Sequence, residues 1–144
     1  MNDILESPTP ITRELVPDDQ RMEFVEQKMS IHFPFLFEPY VYSAVQQMTQ
    51  DQYSGGFWNF YQLSNGGWYM APEGDKTYRV TCANYWSGEL SADALGIVGC
   101  LIGFSHLSFT KVEVFARLCA ENYHQLREYM YDHPEVQPIL RAID

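Results

Sequence analysis

The sequence predicts an α+β fold in which an antiparallel meander of three strands, or more, is packed between amino-terminal and carboxyl-terminal helices. Helical periodicity comes first, then consecutive strand signals, then helical periodicity again, which is not the alternation a βαβ sheet requires. The stretch GGFWNFYQLSNGGWYM (55–70) surrounds an Asn65-Gly66 turn signal with aromatic residues and contains no Lys, Arg, Asp or Glu. The wider segment 31–70 holds Glu38 and Asp51 as its sole acids and has no Lys or Arg. Large apolar groups without charge belong inside, so the hairpin needs cover on both faces.

The elements follow in order. Residues 1–17 carry Pro8, Pro10 and Pro17 with little periodicity, and are expected to form a flexible arm ahead of a single domain spanning 18–144. Asp18 or Asp19 can cap a first helix through Lys28, with Met22, Phe24, Val25 and Met29 as its apolar stripe. HFPFLFEP ends that helix, and Pro39 stands at the first position of the next, which runs to Gln50. Strands are expected over 57–64, 68–71 and 77–83. A two-residue Asn65-Gly66 turn would pair Leu63 with Trp68, Tyr61 with Met70, Gln62 with Tyr69 and Phe60 with Ala71. PEGD (72–75) makes the second turn.

After Trp86 the pattern is helical. Ser91 can cap a helix reaching about Phe109, in which Gly96, Gly99 and Gly103 leave one face without side chains. Such a face permits close packing, yet each glycine weakens an isolated helix by ~1 kcal/mol, so tertiary contacts must hold it. Thr110 can cap a longer helix whose Val112, Phe115, Leu118, Cys119, Tyr123, Leu126 and Met130 form a stripe. EVQPILRAI (135–143) adds a short final helix or turn.

Composition narrows the function classes. Lys+Arg number 9 against 19 for Asp+Glu, a formal net charge of -10. Direct binding to nucleic acid or to an anionic membrane needs the opposite balance. The acids form no long run, so imitation of a DNA duplex is weakly supported, although it stays open as an alternative. Cys82, Cys100 and Cys119 show no metal-binding or disulfide spacing and read as buried thiols of a reducing compartment. The amino terminus is acidic and proline-broken, unlike a secretory signal, and the apolar run at 94–104 is too short to span a bilayer; a cytoplasmic protein is expected.

Candidate sites are few. Glu121, His124 and Glu128 share one helix face and offer half of a carboxylate–histidine metal site, a route to a metal-assisted hydrolase, but no second copy of the motif exists. A solvated face is the simpler reading. His106 is expected to be a hydrogen-bonded core histidine. No nucleophile elbow, phosphate loop or HExxH motif occurs, so no catalytic residue, cofactor or metal is assigned. Asp132, Glu135 and Asp144 form a candidate acidic surface for a partner with basic residues.

Three segments carry a family resemblance: GGFWNFYQLSNGGWYMAP (55–72), ANYWSGELSADALGIVGCLIGFSHLSF (83–109) and HQLREYMYDHPE (124–135). Together they resemble the ArdB/KlcA antirestriction family of plasmids and other mobile elements, over roughly residues 22–143. The resemblance implies protection of incoming DNA from type I restriction, through the host restriction system or an associated host protein. It implies no catalytic residues and a mechanism distinct from the elongated DNA mimics. It is silent on assembly, for which a monomer is the expectation.

Overall fold

In a computed structural model of the chain, described here for residues 9–50, 52–53 and 55–144, five helices surround two small antiparallel sheets. The strands are β1 (Arg13–Leu15), β2 (Trp58–Leu63), β3 (Trp68–Pro72), β4 (Thr77–Thr81) and β5 (Ser87–Ser91). The helices are α1 (Arg21–Met29), α2 (Glu38–Met48), α3 (Ala92–Leu107), α4 (Glu113–Met130) and α5 (Val136–Ile143). One sheet has the order β1-β2-β3; β4 and β5 form the other. The α+β arrangement of antiparallel strands between helices is the one the sequence predicts. No helix among the described residues is long and apolar enough to cross a membrane.

The strand pairing differs from the single meander expected. β4 leaves β3 and pairs with β5, a strand read from sequence as the approach to a helix. The arm expected over residues 1–17 also shortens. Residues 1–8 lie outside the described residues, but Arg13–Leu15 pairs with Tyr61–Leu63 and extends the first sheet. All three residues of β1 are exposed, so backbone hydrogen bonds hold it without an apolar signature.

The β2–β3 hairpin has a register one residue away from the two-residue-turn prediction. Phe60 faces Met70, Tyr61 faces Tyr69 and Gln62 faces Trp68. The cause is a three-residue loop. The Leu63 carbonyl accepts from the Gly66 N–H at 3.1 Å, Gly66 takes φ 92°, and the Leu63 N–H donates to the Gly67 carbonyl at 2.9 Å. This is a tight turn followed by a left-handed glycine, a geometry that Asn-Gly also serves. The tip is tied to α4 by the Asn65 amide donating to the Gln125 carbonyl at 3.0 Å.

Burial on both hairpin faces is as expected. Trp58, Phe60, Leu63, Trp68, Tyr69, Met70 and Ala71 are all buried. Trp68 lies among Phe24, Phe33, Phe37, Phe60 and Phe104, with ring centroids 5.3–6.3 Å apart. Edge-on and tilted contacts of this kind add to area burial. α1 ends at Ser30, and Phe33–Phe37 then form a π-helical turn that runs directly into α2.

The hub is α3. Twelve of its sixteen residues are buried, as expected of a helix apolar on most sides. Ser91, the last residue of β5, caps it by accepting from the Ala94 N–H at 3.1 Å. The glycines do what their spacing predicts, each against a different neighbour. A Cβ on Gly96 would collide with the Cα and Cβ of Ala71 and the Met70 carbonyl. At Gly99 it would meet Val45 at 2.8 Å, and at Gly103 Val41 at 3.1 Å. α3 therefore covers the open edge of β3 as well as packing on α2.

That edge would otherwise present unpaired backbone groups. Cys100 Sγ accepts from the Met70 N–H and donates to the Met70 carbonyl, both at 3.5 Å. Burial pushes the Cys100 thiol up to about 12 against the hydrogen bond from Met70, so the proton needed for donation is retained. Pro72, at the end of the same strand, has no N–H to leave unpaired. All three cysteines are buried and unpaired, as expected.

The expected stripes need two revisions. Thr110 does not cap α4, which starts at Glu113 with Val112 exposed, while Phe115, Cys119, Leu126 and Met130 are buried. Met22 is not part of the core face of α1; it is exposed at the rim of a surface groove, on the opposite side of the helix from the buried Phe24.

Gly96→Ala tests the close approach. The new methyl meets backbone, which cannot swing aside, so unfolding free energy should fall by about 2 kcal/mol despite the gain in helix propensity. Gly103→Ala meets the buried Val41 at 3.1 Å and the Phe37 ring at 3.3 Å, side chains that must give by a few tenths of an ångström, and should cost less than Gly96→Ala, about 1 kcal/mol. Urea unfolding of both variants is the check.

Candidate functional site

The largest polar constellation joins four segments distant in sequence. Arg13 on β1 donates from Nη1 to the Tyr69 hydroxyl and to Asp93 Oδ1, each at 2.6 Å. The Tyr69 hydroxyl, on β3, donates to Asp93 Oδ1 at 2.8 Å. Asp93 stands in the first turn of α3, where a carboxylate also meets the positive end of the helix dipole. Its second oxygen, Oδ2, lies 2.8 Å from Nε2 of His133, which sits in the turn between α4 and α5. Rings close the outer side: Arg13 lies 4.2 Å over Tyr61, Tyr61 stacks on Tyr69 at 5.1 Å, and Tyr69 stacks on Tyr129 at 5.8 Å.

A second arm of the network runs through Glu135. Its Oε1 accepts from the Ser91 N–H at 2.9 Å and its Oε2 from the Ser91 hydroxyl at 2.5 Å. The Glu135 N–H donates to Nδ1 of His133 at 3.0 Å. That donor assigns the tautomer: Nδ1 is the acceptor, so Nε2 carries the proton given to Asp93. Burial alone would raise the Asp93 carboxyl, but hydrogen bonds from His133 and Tyr69 and the Arg13 charge outweigh it and hold the group below the ordinary carboxylate range. Burial, with the Asp93 charge beside it, drives the Tyr69 phenol far above its ordinary value.

Chemically this is a latch. Asp93 is held as an anion between Arg13, Tyr69 and His133. The Ser91 hydroxyl donates to Glu135 and accepts from the Ala94 N–H, so it acts as helix cap and as anchor of the α4–α5 turn. The arrangement orders the start of α3 and ties β1 and the α4–α5 turn to it.

The residues singled out from sequence lie elsewhere or are engaged differently. Glu135 is half-buried and bonded to Ser91, so it is not a free surface acid. Asp132 and Asp144 are exposed, but α5 separates Glu135 from Asp144 by roughly 12 Å of helix, and the three do not form one cluster. Glu121, His124 and Glu128 are exposed along α4, and among the described residues no group of three or more His, Cys, Asp or Glu side chains is placed to hold a metal. His106 is not in the core; it is exposed and stacks on Tyr40 at 4.6 Å. Sequence reasoning missed Arg13, Asp93 and His133. Ser91-Ala-Asp93 is a helix-start signal, which marked the position of Asp93 but not its partners.

Comparison with known proteins places the chain as a whole. A family described as "Antirestriction protein" matches residues 51–144. An antirestriction protein KlcA of Escherichia coli is 34% identical over 137 residues, covering 94% of this chain and 96% of the relative. The chain belongs to the antirestriction protein family. The uncharacterised protein YafX of Escherichia coli strain K12 is 42% identical over 133 residues, 90% of this chain and 85% of its own. A solved structure matches with a TM-score of 0.86 and 34% identity over 100% of both chains. It comes from work on the KlcA and ArdB proteins describing a novel fold and antirestriction activity against type I DNA restriction systems in vivo but not in vitro.

Within this antirestriction chain the family match contains Tyr69, Asp93, His133 and Glu135, while Arg13 reaches them from outside the matched residues. Asp93→Asn removes the anion that Arg13 and His133 share and should lower unfolding free energy by about 2 kcal/mol at neutral pH. The folded carboxyl titrates below its unfolded counterpart, near ~3.9, so the advantage of the natural residue is complete above that value. It is lost as pH falls through the folded value. Urea midpoints that differ at neutral pH and converge in strong acid are the expected result.

Proposed function

We propose that this protein protects incoming DNA from host type I restriction by binding a protein of the restriction system, or a host factor associated with it, without chemistry of its own. Residues 18–144, with β1 joined to them, would act as the antirestriction unit in the cytoplasm. The observation that carries this reading is the whole-chain likeness to a solved antirestriction fold. The KlcA and ArdB proteins act in vivo but not in vitro. For a relative of similar fold, such behaviour favours a route that involves a further cellular component.

The local chemistry fits. The polar groups brought together around Asp93 are committed to one another. The acidic balance disfavours contact with DNA and favours a basic protein surface. The exposed Asp132 and Asp144 are proposed as rim charges that steer association, with Glu135 excluded because it is engaged by Ser91.

Plating efficiency of unmodified phage on a type I restricting host is the test. Expression of the folded protein should raise plating by at least about tenfold, and Asp132→Lys/Asp144→Lys should weaken that effect in part. Equal plating with and without the protein would defeat the proposal.

A further inference from the structure

A groove of about 400 Å³ opens beside α1, lined by Met22, Val25, Glu26, Ile31, Phe33 and Pro34 among others. Its rim is unusually apolar for a free surface: Met22 is 85% exposed, Ile31 60%, and Phe35, next to Pro34, 71%. Local backbone geometry sets this rim. Ser30 ends α1 at φ 54°, ψ -142°, a conformation that non-glycine residues seldom adopt, and the π-helical turn follows at once. Ile31 and Phe35 are thereby left in solvent on either side of the buried Phe33.

The charges around the groove are of one sign. Glu26 lines the groove itself, Asp18 and Asp19 lie about one turn before Met22, and Glu23 stands at the border with a neighbouring pocket that it lines with Gln20 and Gln27; all four are exposed. The two bases of the same helix face away. The Arg21 guanidinium lies 4.4 Å over both the Phe57 and Phe60 rings, and Lys28 Nζ donates to the Gly66 carbonyl at 3.0 Å. An apolar trough edged by acids, with its own bases turned inward, complements an apolar stripe edged by Lys and Arg.

We infer that this groove docks a basic amphipathic helix of a protein partner. Apolar side chains of that helix sit against Met22, Val25, Ile31 and Pro34, and its cations lie over Asp19, Glu23 and Glu26. Anionic membrane and nucleic acid are repelled by the same acids, and a second copy of this chain would bring a matching acidic face against them. The inference rests on the protein-binding reading above and names the surface and the partner chemistry.

The probe is a Leu/Lys peptide of about 18 residues with Leu at i, i+3, i+4 and i+7, alongside its Leu/Glu counterpart. The full chain should bind the Lys peptide and not the Glu peptide, with affinity falling as salt rises. Met22→Ser/Ile31→Ser should weaken binding at least about tenfold, and Glu23→Gln/Glu26→Gln should weaken it as well, whereas Glu121→Gln on α4 should leave it unchanged. All four positions substituted in the groove variants are exposed, so each variant should unfold at the natural urea midpoint. In restricting cells the Met22→Ser/Ile31→Ser protein should lose at least about tenfold of its protection. Equal peptide affinity in both groove variants would overturn the inference. So would preference for phosphatidylglycerol vesicles, or a dimer that Met22→Ser/Ile31→Ser dissolves. Full protection by that variant removes the groove but leaves the antirestriction reading intact. Absence of protection by the natural protein removes the reading itself.

Discussion

The contact between α3 and the outer edge of β3 is the constraint on which the rest of the molecule depends. A small sheet with an open edge is a liability, and a helix cannot usually approach backbone closely enough to cover one. Gly96 removes the side chain that would stand between them, and the Cys100 thiol completes both backbone groups of Met70. With α3 seated there, Gly99 and Gly103 bring α2 against the adjoining part of the same face, while α4 and α5 also pack on the helix. The second sheet is fixed by the same helix, since β5 ends on the residue that caps it.

The Asp93 network closes this assembly from the polar side. β1 has no apolar anchor of its own, and Arg13 fastens it to the start of α3. Glu135 and His133 fasten the α4–α5 turn to the same place. The polar groups of this network are thus directed at one another, and a separate part of the surface, around Met22, Ile31 and Phe35, is apolar and exposed. An exposed apolar face of this kind is compatible with the protein-binding role proposed for this member of the antirestriction protein family.

Much of this was legible from sequence. The charge-free aromatic hairpin announced an interior, and the glycine spacing announced a close-packed helix. The features that escaped did so for physical reasons. β1 is exposed on every residue and held by backbone pairing and the Arg13 side chain, so it carries no apolar pattern. SGELS is short, polar and next to a helix cap, and its strand character comes from pairing with Thr77–Thr81. The hairpin register turned on one residue of loop length, which Asn-Gly does not determine. Met22 has the stripe spacing of Val25 and Met29, but burial along that stripe falls away toward the start of α1. Arg13, Tyr69, Asp93 and His133 are brought together by tertiary structure alone. The family resemblance pointed to the activity but assigned none of these residues.

Native-state hydrogen exchange at Met70 and along α3 tests the central dependence most directly. If α3 and the β3 edge form one cooperative unit, the Met70 amide and the amides of Ile97–Leu101 should exchange only through global unfolding, with the free energy found in urea. Exchange at Met70 through a cheaper local opening, while α3 stays protected, would show that the edge does not depend on the helix and would contradict the account.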